Sequence, residues 1–263
     1  GGGGDSTIPR RPDDGWPYPP APNPNPSPGG GGSAGSTPAP QLPPQYSLNP
    51  QWQMTGYHVA HTTHYTTPAG FSGPAKGAGV TVAVVDTGFD RAGWGAEFGD
   101  RLLPGFDATP ASGIMGDPPR GGPVNTASDQ DGVIGGHGTA MARIIAGSGV
   151  WPEGSDKAGK VTMVGIAPEA NIYPVKASDQ SSGIMHYVPQ ALEHVAGQSG
   201  IKIVNLSFGD NSSLVQAQID AWKSLLGALK NTGKLTVVAA GNNGQFYSSP
   251  ANPASFAADA DLA

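Results

Sequence analysis

From residue 80 onward the chain alternates short apolar runs with segments of helical spacing. Val80 to Val85 is a β-branched run set between Gly77 and Gly79 on one side and Gly88 on the other, the pattern of a strand buried on both faces of a parallel sheet. Runs of the same kind recur at 172–176, 201–206 and 235–240. Helical spacing falls between them, from about residue 138, near 188–196 and over 214–229. In the last of these, apolar residues at 214, 215, 219, 222, 225 and 226 mark one buried face, with Trp222 in the core and Gly233 as a stop. Strand and helix in alternation predict an α/β fold, a mostly parallel sheet with helices on both faces in three layers.

The residues that carry chemistry stand where these strands end. Asp86 closes the first run, at the sheet edge where open α/β proteins bind ligands. A carboxylate there either accepts hydrogen bonds and faces a cation, as a catalytic group does, or closes an Asx-turn, which Asp-Thr-Gly suits. His137 lies in Gly135-Gly136-His137-Gly138-Thr139, and the following Ala140 to Ala146 reads as a buried helix. The positive end of a helix dipole keeps an imidazole neutral, the form a general base needs. A capping histidine would not call for glycine on both sides. Leu235 to Gly241 is an apolar run ending in small residues, and Asn242 follows with an amide that can donate to a developing oxyanion. Small Ala239, Ala240 and Gly241 leave room for a substrate side chain, and the Ser207-Phe208-Gly209 end of the 201–206 run suits the flank of an extended peptide.

The order Asp-Thr-Gly, Gly-His-Gly-Thr, Asn-Leu-Ser-Phe-Gly and Ala-Ala-Gly-Asn resembles the subtilisin family of serine proteases over roughly Gly77 to Pro253. Gly165-Ile-Ala167-Pro168 before Ile172 to Lys176 is a further echo of the family. The resemblance implies that Asp86 orients the base, that His137 is general base and acid, and that Asn242 is the oxyanion donor. It implies that Ser207, Phe208 and Gly209 form one wall of the specificity pocket and Ala239, Ala240 and Gly241 the other. It implies protein or peptide substrates and no required cofactor, and leaves structural calcium open.

The departures shape the expectations as much. Many members carry a second histidine where Ala140 stands, and the stretch from Asp86 to His137 is longer than usual, swollen by a Gly/Pro/Asp-rich segment around Pro104 to Gly136 that reads as a surface insertion. The family's Gly-Thr-Ser-Met-Ala, whose serine is the nucleophile, does not occur. Ser248, Ser249 and Ser255, which follow Asn242, sit in a context resembling an ordinary family loop. The expectation is therefore a subtilisin-like fold incomplete at its C-terminus, with the nucleophile beyond Ala263 and this chain alone inactive. The alternatives are an inactive homologue that binds peptides by strand addition at Ser207 to Gly209, and a metal hydrolase built on Asp86, His137 and an early histidine.

Composition adds organisation and place. Residues 1–44 hold 10 Gly and 13 Pro with few large apolar side chains, which predicts a flexible, partly polyproline tether ahead of a peptidase domain over 45–263. His58, His61 and His64 have helix-like spacing for a metal site, but Thr62, Thr63, Thr66 and Thr67 weaken a helix there and no nearby carboxylate completes a ligand set, so no metal is expected. A net charge of −6 without a basic patch argues against nucleic acid as a partner. The absence of cysteine removes a disulfide framework and a thiol nucleophile together, and no apolar run reaches the length of a membrane span. A Gly/Pro/Asn tether before such a domain suits a secreted or surface-held bacterial protease, for example an autotransporter passenger.

Overall fold

The computed structural model describes residues 57–68, 70, 72–114, 116–124, 136–150, 161–178, 185–210, 212–242 and 250–256. The chain divides into two units, Gly1–Gln41 and Leu42–Ala263, and every described residue belongs to the second. The expected tether lies outside the described residues.

In chain order the elements are helix α1 (Tyr57–Thr62), the antiparallel pair β1 (Tyr65–Thr66) and β2 (Ser72–Gly73), strand β3 (Thr81–Asp86), helix α2 (Arg91–Phe98), strand β4 (Phe106–Asp107), helix α3 (His137–Ala146), the antiparallel pair β5 (Ser148–Val150) and β6 (Val161–Val164), strand β7 (Asn171–Lys176), helix α4 (Val188–Ala196), strand β8 (Ile203–Leu206), helix α5 (Gln216–Asn231) and strand β9 (Leu235–Val238). Five of the strands form one sheet in the order β4-β7-β3-β8-β9, parallel throughout. Strand β3 sits at its centre with all six residues buried, as its unbroken apolar run requires.

The period of two along β3 sorts its side chains into two cores. Ala83 and Val85 pack with Val175, Val204, Leu206, the α4 residues Ala191, Leu192 and Val195, and Leu229 of α5. Val82 and Val84 pack on the other face with Ile172, Phe89, Phe98 and the α3 residues Ala142 and Ala146. The result is the helix-sheet-helix layering that the alternation predicts. Each fully buried Leu or Val contributes about 1.5–3 kcal/mol by leaving water.

The elements that the sequence hides are those with little pattern to show. Helix α2 carries two glycines in eight residues, and what starts it is Asp90, whose carboxylate accepts from Gly93 N–H at 2.9 Å. Strand β4 is two residues long, too short for any periodicity. Helix α1 forms despite the threonines but stops at Thr62, so His64 lies beyond it. The expected helix at 214–229 begins later. Val215 is its cap and is 65% exposed rather than core, whereas Leu229, two turns beyond Trp222 on the same stripe, is fully buried. Trp222 packs against the core as expected, and Gly233 at φ 75° ends the helix. The run at 201–206 pairs only from Ile203, because Ile201 N–H is bonded to Gln198 O in the preceding turn.

Helix α3 is clamped along its length. Buried Glu97 of α2 accepts from Arg143 Nε at 2.6 Å, and the Arg143 guanidinium lies 3.7 Å over the Trp94 ring. Arg101 donates to Ala146 O at 2.9 Å, satisfying one of the carbonyls left over at the end of α3.

Where α4 crosses β4 and β7, the His194 ring stacks on Phe106 at 3.7 Å between centroids and shares a 2.8 Å hydrogen bond with Tyr173 Oη. Burial pushes the His194 imidazole below the ordinary histidine value. A folded-state value below the unfolded one contributes stability that is complete above the unfolded value of about 6.5 and lost as the pH falls through the folded one. The melting temperature should accordingly drop between about pH 7 and pH 5, and His194→Phe, which keeps the stack on Phe106, should flatten that drop. An unchanged pH profile in the variant would remove His194 as a source of acid sensitivity.

Candidate active site

Strand β3 delivers Asp86 to the carboxyl edge of the sheet with no exposed surface. Its Oδ1 accepts from Thr87 N–H at 2.8 Å, from the Thr87 hydroxyl at 3.3 Å and from His137 Nδ1 at 2.8 Å. The backbone bond comes from the adjacent residue, not from the residue two further on, so Asp86 does not close an Asx-turn. Asp107 does, accepting from Thr109 N–H at 2.9 Å. Among the described residues, no donor bonds the buried Asp86 Oδ2.

His137 is the first residue of α3, after Gly136 in the left-handed conformation at φ 84°. Its side chain is 35% exposed, and one side of the ring meets the buried carboxylate. With the Nδ1 proton directed at Asp86, the basic lone pair of the neutral ring resides on Nε2. The glycine after it serves a second purpose. A Cβ on Gly138 would overlap Gly88 O and come within 3.1 Å of Asp86 Cβ, so only glycine lets the first turn of α3 settle against the end of β3. Two threonines then lock the contact. Gly138 N–H donates to Thr87 Oγ1 at 2.9 Å, and Asp90 N–H donates to Thr139 Oγ1 at 2.9 Å. Thr87 thus caps α3 from another element while also donating to Asp86.

The other candidate residues follow β8 and β9 and so reach the same carboxyl edge, beside Asp86 in the strand order. Ser207 exchanges hydrogen bonds with the Asn205 side chain at 2.8 and 3.2 Å. Phe208 packs against the hydrophobic core. Ala239 N–H extends the ladder to Leu206 O at 2.9 Å, Gly241 turns the chain at φ 93°, and Asn242 is exposed. The two segments are tied together beyond their ends. Ala251 N–H donates to Ala240 O at 2.9 Å, Asp210 and Asn252 form an antiparallel bridge, and a Cβ on Gly209 would lie 2.8 Å from Ala251 Cβ. Ser248 and Ser249 lie outside the described residues, and the Ser255 hydroxyl donates to Asn252 Oδ1.

The early histidines go elsewhere. Buried His61 contacts Ile166 O through Nε2 at 2.7 Å, with burial holding its imidazole below the ordinary value, and His64 bonds the Ser72 hydroxyl. Among the described residues, no three metal-ligating side chains gather at one point, and no helix is long and apolar enough to cross a membrane. Sequence reasoning passed over two residues that the structure brings in, the hydroxyl of Thr87 and the ammonium of Lys176. Both signals were present, as the middle letter of Asp-Thr-Gly and as a charge closing the apolar run of β7.

The family model for the subtilases (Peptidase_S8, Subtilase family) matches residues 77–258. Subtilisin Savinase from Lederbergia lenta is 32% identical over 178 residues, covering 67% of this chain and 53% of its own length. Thermitase from Thermoactinomyces vulgaris is 30% identical over 174 residues, covering 65% of this chain and 50% of its own. Among solved structures, a cold adapted subtilisin-like serine proteinase aligns at 26% identity over 71% of this chain and 56% of its own, with a TM-score of 0.43. The chain spans about half the length of the curated relatives it matches.

The Gly138 contact yields a direct prediction. Gly138→Ala should push α3 away from β3, lowering stability by about 1–3 kcal/mol, as overpacking does, and lengthening the His137–Asp86 bond. Thermal unfolding reads the first effect, and the low-field Nδ1 proton of His137 the second. A variant with unchanged stability and an unchanged proton signal would contradict the close approach.

Proposed function

The chain belongs to the subtilase family, and from that premise we propose that it supplies the acid and base of a serine endopeptidase whose nucleophile lies on sequence after Ala263. The observation that carries this reading is the 2.8 Å bond from His137 Nδ1 to buried Asp86, on a helix start pinned to a strand end. His137 Nε2 takes the proton of the serine hydroxyl as its oxygen bonds to the scissile carbonyl carbon, and returns that proton to the leaving amine as the carbon–nitrogen bond breaks. Asp86 holds the ring in the right tautomer and balances the imidazolium. Asn242, exposed at the end of β9, donates its amide to the oxyanion. An extended peptide lies along the backbone of Ser207 to Gly209, with a side chain between that segment and Ala239 to Gly241.

The open half of the sheet supports a nucleophile carried on a further segment. On the face that α3 covers at β3 and β7, the neighbouring strands β8 and β9 present Ile203, Asn205, Leu235 and Val237, and the last two are 62% and 50% exposed. Apolar strand residues on the face that elsewhere builds a core call for a covering element. A following segment that packs there would bring its end to the carboxyl edge beside His137. Residues 1–44 serve as a tether to this domain, and the enzyme acts on proteins outside the cytoplasm, secreted or held at a bacterial surface.

Three measurements test this. Residues 1–263 alone should hydrolyse no peptide substrate, and the protein carrying its downstream sequence should. In that protein Asn242→Ala should lower kcat by about 10²–10³ with KM nearly unchanged, the loss that a subtilisin suffers when its oxyanion asparagine is removed. Asp86→Asn should lower kcat by about 10⁴, as in the analogous triad, while leaving the fold intact. Organophosphate-sensitive turnover by residues 1–263, or near-normal activity of Asp86→Asn at neutral pH, would overturn the assignment.

A further inference from the structure

Three neighbouring strands of the sheet end in charge at one level. The register pairs Asp86 of β3 with Lys176 of β7, and Lys176 in turn with Asp107 of β4. Cross-strand partners share a face. The alternation of the cores puts these three on the α3 side, since Val85, Val175 and Phe106, each one residue earlier, pack on the other. All three are buried, at 0%, 3% and 4% exposure. This is a row of negative, positive and negative groups, shielded from water, at the point where His137 enters.

The middle of the row is attached to the base. Lys176 Nζ donates to Thr87 O at 2.9 Å. Thr87 is the residue whose N–H and hydroxyl both reach Asp86 Oδ1 and whose Oγ1 accepts Gly138 N–H of the His137 helix. The buried Asp86 Oδ2, bonded by no described donor, leaves the carboxylate dependent on nearby positive charge for its compensation. The cation that the register places on the adjacent strand is Lys176, its ammonium one residue along on Thr87 O.

We propose that Lys176 is a positioning residue for the base, fixing the Thr87 peptide that holds Asp86 against α3 and, in opposition to Asp107, setting the proton affinity of His137. This rests on the reading of Asp86 and His137 as the acid and base of the proposed enzyme. The balance of charge gives the sign. Two carboxylates and one ammonium leave the row at a net −1, which one imidazolium neutralises. Without Lys176 the two carboxylates of the row would be uncompensated, and the ring, bonded to one of them, would hold its proton more firmly. Without Asp107 the row would be neutral and the ring would bind a proton less readily. The other charges on this face stay constant in both cases: Asp90 and Arg91 at the start of α2, Arg101 at the end of α3, and the Glu97–Arg143 pair.

The test is a proton NMR titration of His137 in the 263-residue chain, with its signal assigned among the six histidines by substitution. Lys176→Met should raise the His137 pKa by roughly one unit, Lys176→Arg should restore it, and Asp107→Asn should lower it. A folded Lys176→Met or Asp107→Asn chain whose His137 titrates as in the parent would overturn the proposal. If Lys176→Met does not fold, the direction of the Asp107→Asn shift decides. Asp86→Asn separates this inference from the reading beneath it. A His137 pKa that ignores Asp86→Asn sinks the catalytic pair itself, whereas a fall there with no response at Lys176 or Asp107 sinks only the charge row.

Discussion

The contact on which the site depends is the seating of the first turn of α3 against the carboxyl end of β3. It needs a residue without a side chain at 138, because Gly88 O occupies the space a Cβ would take. Once the backbones are that close, the rest follows at short range: Gly138 N–H finds Thr87 Oγ1, Asp90 N–H finds Thr139 Oγ1, and His137 Nδ1 meets Asp86. Hydroxyls here replace the side-chain cap that Gly136 cannot supply. The far end of α3 is held by Arg101 and the Glu97–Arg143 pair, so the helix is fixed along its length and the imidazole is aimed by rigid elements and not by a loop.

Burial raises the stakes of that geometry. A carboxylate with no exposed surface is costly unless its charge is answered, and Asp86 meets hydrogen bonds on one oxygen, from Thr87 and His137. The same low dielectric that makes the arrangement expensive makes each charge in it influential. The contrast with Asp210, which accepts from the backbone N–H two residues on, separates a carboxylate that organises a turn from one that organises an imidazole.

How much of this was legible in the sequence depends on how far each feature is local. The central strand, the alternation with helices, and the placement of Asp86 and His137 at element ends were readable, because an apolar run and a glycine-bracketed histidine are signals within a few residues. The reason for Gly138 was only half readable, since the sequence shows glycine but not the carbonyl it approaches. Periodicity places Val215 on a buried face because it does not mark where a helix starts, and Val215 lies before the first turn. Strand β4 and the row from Asp86 through Lys176 to Asp107 were invisible. They exist only through the register of strands far apart in the chain, and no window along the sequence contains them.

Under the proposed function, a serine presented at the carboxyl edge within reach of His137 joins the exposed apolar residues of β9 and the exposed Asn242. The most direct test is to label the protein bearing its downstream sequence with a fluorophosphonate and locate the modified residue by peptide mass spectrometry. The expected result is one labelled serine after Ala263, with labelling abolished by His137→Ala. Labelling of Ser248, Ser249 or Ser255, or labelling that persists without His137, would contradict the assignment of the Asp86–His137 pair as the base of a serine peptidase.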